Sequence, residues 1–118
     1  MLEGKRILVL EDEPLVAMLL EEMLLDLGCE VVGPAYNLRE GERLAGEAVL
    51  DAAVLDVNVN GEMSDPVAEI LRARGVPFAL ATGYGLSAPM AANGDVPVLQ
   101  KPYPAGKLEA VLRELLES

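Results

Sequence analysis

Five side chains in this sequence could do chemistry together. Glu11 and Asp12 end the apolar run Ile7 to Leu10, Asp56 ends Ala52 to Leu55, Thr82 ends Phe78 to Ala81, and Lys101 follows Val96 to Leu99. Three carboxylates on one rim repel one another, and one ammonium cannot neutralise them. Either their pKa values rise or a divalent cation binds. Oxygen-only donors favour a hard ion, and magnesium fits because it takes few protein ligands and keeps its waters. A carboxylate can also attack a phosphoryl group as a nucleophile. Lys101 would then neutralise one phosphoryl oxygen and the Thr82 hydroxyl would donate to another. Gly83 leaves space beside that hydroxyl.

The elements must bring these tips together. The apolar runs are continuous rather than alternating, which marks strands buried on both faces of a parallel sheet. Pro14 suits the first turn of a helix, Leu15 to Leu27 continue it, and Gly28 ends it. Glu30 to Ala35 hold a second strand. Asn37 with Glu40 three residues on resembles a capping pair, opening a helix to about Ala48. Val57 to Ser64 read as loop. Asp65-Pro66 start a helix closed by Gly75, and the last helix runs from about Pro104 to Leu116, with Leu108, Val111, Leu112 and Leu115 on one face. Segment 83–95 is the least periodic, and no normal helix is assigned there. The expected fold is α/β, a doubly wound five-stranded parallel sheet of order 2-1-3-4-5. In such a sheet ligands bind beyond the carboxyl ends of the strands where the order reverses, between strands one and three.

Composition removes other chemistries. The chain has 118 residues, 9 Lys+Arg, 20 Asp+Glu, and a formal net charge of −11. That size fits one domain, expected over 1–118 with no output module. The charge, without a basic cluster, argues against nucleic acid and anionic membranes. With no His and one Cys (Cys29) there is no imidazole chemistry, disulfide or cysteine zinc site. Cys29 is expected as a small buried filler. No apolar run is long enough to span a membrane or form a signal-peptide core. The expectation is a cytoplasmic protein, monomeric or weakly dimeric.

These residues together resemble the receiver domain of bacterial response regulators, the CheY-like family, over nearly the whole chain. Glu11-Asp12-Glu13-Pro14 resembles the motif after strand one. Asp56 stands at the phosphoacceptor position, Thr82-Gly83 at the switch hydroxyl and its small neighbour, and Lys101-Pro102 at the family's lysine and following proline. The resemblance implies Mg²⁺-dependent phosphorylation of Asp56 by a sensor histidine kinase or phosphotransfer protein. It implies ion binding by Asp12 and Asp56 directly, by the Asn58 carbonyl, and by Glu11 through water. The output would be contact with a downstream protein target, relay of the phosphoryl group, or its drainage as a sink.

Two positions depart from the family pattern. Val98 stands where receivers carry a strand-five Tyr or Phe, so the usual aromatic switch is missing. Ala81-Thr82-Gly83-Tyr84-Gly85 resembles a stand-alone subgroup with a Phe-Ala-Thr-Gly signature, with Leu80 in place of the Phe. Tyr84 is therefore the expected moving anchor and 83–95 the moving segment. On the first helix, Val16, Leu19, Leu20, Met23 and Leu27 are expected in the core. Met18 and Leu25 are expected outside, with Glu21 and Glu22, as a face for a partner helix. Other classes fit less well. An aspartyl phosphatase would need a second Asp where Asn58 stands, and a flavodoxin-type nucleotide site would need a Gly/Ser/Thr loop where Glu11-Asp12-Glu13 stand. A degenerate receiver kept only for interaction would not need the full pocket set.

Overall fold

The computed structural model describes residues 2–83, 96–101 and 103–117. Its strands are β1 (Arg6–Leu10), β2 (Glu30–Ala35), β3 (Ala52–Asp56), β4 (Asn58–Val59), β5 (Glu62–Met63), β6 (Phe78–Thr82) and β7 (Val98–Gln100). Its helices are α1 (Pro14–Asp26), α2 (Leu38–Glu47), α3 (Asp65–Arg74) and α4 (Ala105–Glu117). The long strands form one parallel sheet of order β2-β1-β3-β6-β7, which is the expected 2-1-3-4-5 winding.

Side chains alternate across each strand, and both faces are covered. Leu8, Leu10, Ala53, Leu55 and Leu80 pack with Ala45, Val67, Ala68 and Leu71 of α2 and α3. Ile7, Val9, Ala52, Val54 and Ala79 pack with Leu20, Leu24, Leu108 and Leu112 of α1 and α4. That is why the strands read as unbroken apolar runs. Asn37 caps α2 as expected, its Oδ1 accepting the Glu40 N–H at 2.8 Å. Gly41 lets that helix lie close on the sheet, since a Cβ there would stand 3.0 Å from a Leu10 methyl. Cys29 is buried, as expected of a filler.

Three expectations need correction. The segment after Asp56 is not plain loop, because β4 and β5 pair antiparallel as a small hairpin. The last strand of the sheet begins at Val98 rather than Val96, since Pro97 has no N–H to give the ladder, though its carbonyl still accepts from Leu80 at 2.9 Å. On α1 the buried stripe is Ala17, Leu20 and Leu24. Leu19, expected in the core, is 47% exposed. Val16, Met23 and Leu27 are half-buried. The helix is apolar on most sides, so the small Ala17 sets the seam against the sheet and turns Leu19 outward. Expectations about Tyr84, Pro102 and segment 84–95 fall outside the described residues.

Candidate functional site

Register delivers the tips. Leu10 pairs with Leu55, so the next residues, Glu11 and Asp56, emerge side by side. Asp56 pairs with Ala81, placing Thr82 one residue beyond, and Thr82 pairs with Gln100, placing Lys101 one residue beyond that. The Lys101 N–H donates to the Thr82 carbonyl at 2.8 Å, joining the ends of β6 and β7.

The Lys101 ammonium sits between two carboxylates, 2.7 Å from Glu11 Oε1 and 3.2 Å from Asp56 Oδ2. Glu11 is 2% exposed and Asp56 is 7% exposed. The second Glu11 oxygen accepts the Glu13 N–H at 3.1 Å, so both Glu11 oxygens are engaged. Asp12 lies at the rim, and its Oδ2 accepts the Asn60 N–H at 2.8 Å. Thr82 is buried at the end of β6, with Gly83 exposed after it. Asn58 is exposed on β4, its side-chain oxygen accepting the Gly61 N–H at 3.0 Å. Val98 is half-buried against the core on the α2–α3 face of the sheet. Met18 and Leu25 lie on the exposed face of α1, away from the sheet, as expected.

The electrostatics follow from this burial. The Asp56 carboxyl is pushed up to about 7, first by burial and then by the Glu11 carboxylate, with Lys101 pulling the other way. Burial opposes the Lys101 ammonium, yet the two carboxylates beside it hold its pKa above the ordinary lysine value. Burial also opposes ionised Asp12, but hydrogen bonds, led by the Asn60 backbone N–H, bring it below the usual aspartate value. Sequence reading missed two neighbours. Tyr103 is half-buried near the same charges, its hydroxyl pushed up to about 12 mainly by burial. Asn60 acts here through its backbone, which leaves no mark in composition or spacing.

Glu11, Asp12 and Asp56 each offer an oxygen, and these three atoms lie within 4.8 Å of one another. With Lys101 as the countercharge, the cup keeps a formal excess of two negative charges. An all-oxygen set with that excess fits a hard divalent cation. Asp12 and Asp56 are the better placed to ligate it, since Glu11 is already committed to Lys101 and the Glu13 amide. Among the described residues, no helix is long and apolar enough to cross a membrane.

Comparison with known proteins gives a consistent picture. No family model matches the chain. The phyllosphere-induced regulator PhyR of Methylorubrum extorquens is 31% identical over 117 residues, covering 93% of this chain and 43% of PhyR. The chain spans less than half the length of the curated relatives it matches. SdrG from Sphingomonas melonis Fr1 is 41% identical, with a TM-score of 0.86 and 98% of this chain and 99% of SdrG covered. The receiver domain of the sensor histidine kinase PA1611 from Pseudomonas aeruginosa PAO1 is 25% identical, with a TM-score of 0.85 over 98% of this chain and 99% of that domain. It holds a magnesium ion coordinated in its active-site cleft.

Proposed function

The chain belongs to the response regulator receiver (CheY-like) family of two-component systems, and from that premise we propose that Asp56 is its phosphoacceptor, loaded by a histidine kinase or phosphotransfer protein. Receiver domains are signalling proteins rather than turnover enzymes. The observation that carries the proposal is the Lys101 ammonium bridging Glu11 and Asp56 inside a cup that also holds Asp12.

In the transfer, an Asp56 carboxylate oxygen forms a bond to phosphorus as the bond from phosphorus to the donor's imidazole nitrogen breaks. The electron pair of the broken bond stays on that nitrogen. Lys101 stands within reach of Asp56 to meet charge on the phosphoryl oxygens, and the Thr82 hydroxyl at the next strand tip is the donor assigned to another oxygen, with Gly83 leaving room. Asp12 and Asp56, with the Asn58 carbonyl, are assigned to the ion, and Glu11 acts by fixing Lys101. Mg²⁺, when bound, supplies positive charge that keeps Asp56 ionised and offsets the incoming phosphoryl charge. The exposed α1 residues Leu15, Met18, Leu19 and Leu25 are the face offered to the phosphodonor protein. Phosphorylation adds charge and acceptor oxygens at the rim, which Thr82 and Lys101 move to meet, changing affinity for a downstream protein.

The test is an intact mass after incubation with a small-molecule phosphodonor, with and without Mg²⁺, beside Asp56→Asn. A Mg²⁺-requiring gain of one phosphoryl group, absent in the variant, is expected. Equal labelling of the variant would overturn the assignment.

A further inference from the structure

The tip of the β4–β5 hairpin, which follows β3, is hydrogen-bonded to the acidic cup. Its turn is Asn60-Gly61, with φ of +54° and +86°. Positive φ at both central residues is what a tight two-residue hairpin requires, and Asn-Gly meets that requirement with little strain. The base is closed by the Ser64 N–H donating to the Val57 carbonyl at 2.9 Å. Val57 and Val59 are buried, so the hairpin is seated in the core. At its tip the Asn60 backbone N–H donates to Asp12 Oδ2 at 2.8 Å. The Asn60 side chain donates to the Tyr36 carbonyl at 3.1 Å, tying the tip also to the segment after β2.

We propose that Asn60 is a positioning residue: its backbone N–H, aimed by the left-handed turn, fixes the Asp12 carboxylate in the orientation that binds the divalent cation. Asp12 is the least buried of the three carboxylates, and among the described residues no cation holds it, unlike Glu11 and Asp56. Without the amide it would sample rotamers and lose its place in the cup. Partners that orient metal-binding carboxylates in this way commonly change metal affinity by about tenfold or more. The inference rests on the proposed metal site, but the hydrogen bond can be tested apart from it.

One arm uses the metal-free protein and NMR. In Asp12→Ala the Asn60 amide proton should shift upfield and exchange with solvent roughly tenfold faster, because its charged acceptor is gone. An unmoved Asn60 amide overturns the anchor whatever the metal does. The second arm measures Mg²⁺ binding by calorimetry. Asn60→Gly keeps the N–H and the positive φ, and should hold the Mg²⁺ Kd within about threefold of the parent. Gly61→Val forces the turn out of its left-handed conformation although a Cβ there meets open space, and should weaken Mg²⁺ by about tenfold. Equal Kd values for Gly61→Val and the parent, or equal weakening by both variants in step with lost thermal stability, would overturn positioning. A parent protein that binds no Mg²⁺ would sink the metal reading, while the NMR arm would still decide the anchor.

Discussion

Asp56 is a buried carboxyl whose ionised form is opposed by burial and by the Glu11 carboxylate. Its pKa in the folded chain is about 7, against an ordinary value of 3.8. A raised acid pKa means the folded state holds the proton more tightly than the unfolded state. The resulting stabilisation is complete below about pH 4 and is lost as pH rises through about 7. In chelator the parent should therefore lose stability between about pH 4 and 7 and level off above that, while Asp56→Asn stays flatter and ends about 2 kcal/mol more stable at the alkaline end. Urea unfolding across that range checks it, and parallel curves would refute it. Lys101→Met works in the opposite sense. It strips the ammonium from between Glu11 and Asp56, and should cost about 3 kcal/mol near neutral pH, less in an Asp56→Asn background because the two residues touch. Equal losses in both backgrounds would argue against the coupling. Glu11, Asp12, Asp56, Thr82 and Lys101 could be singled out in the sequence because each closes or follows an apolar run. The Asn60 amide could not, because every residue but proline carries that donor and only the fold says where it points.

At the scale of elements, the order of the long strands was legible because each apolar run has one place in a right-handed parallel sheet. The β4–β5 hairpin was not, because two-residue strands carry no periodicity, although Asn60-Gly61 was a turn signal in plain view. Helix α1 shows the other failure. Leu15 to Leu20 are all apolar, so counting large side chains could not choose a face, and Ala17 settled it. The consequence is a solvent-facing surface of Leu15, Met18, Leu19 and Leu25, broader than the expected Met18 and Leu25. Met18→Ala with Leu25→Ala should leave unfolding within about 0.5 kcal/mol of the parent, since neither residue is in the core. Leu24→Ala, on the buried face of the same helix, should cost about 3 kcal/mol. If the outer face receives a phosphodonor protein, the double variant slows transfer from a kinase about tenfold while labelling by a small phosphodonor is unchanged. Equal slowing of both would refute docking and point to the pocket.

Across the whole molecule, a formal charge of −11 means that any salt relieves self-repulsion, so a rise in melting temperature with Mg²⁺ does not by itself demonstrate a site. The two effects separate by their dependence on particular residues. Screening acts on all exposed carboxylates and depends on ionic strength, with a reach of about 8 Å in physiological salt. Binding acts at the cup formed by Glu11, Asp12 and Asp56 and follows the occupied fraction. Sodium chloride should therefore raise the melting temperature of the parent, Asp12→Ala and Asp56→Asn by similar amounts. Mg²⁺ added at matched ionic strength should raise only the parent further. At about a hundred times the dissociation constant, the binding increment is about 2.7 kcal/mol, which for a chain of this size is a shift of roughly 10 °C. A Mg²⁺ shift no larger than the matched sodium shift, or one preserved in both variants, would show that the cup formed by Glu11, Asp12 and Asp56 holds no divalent cation and would overturn the proposed metal site.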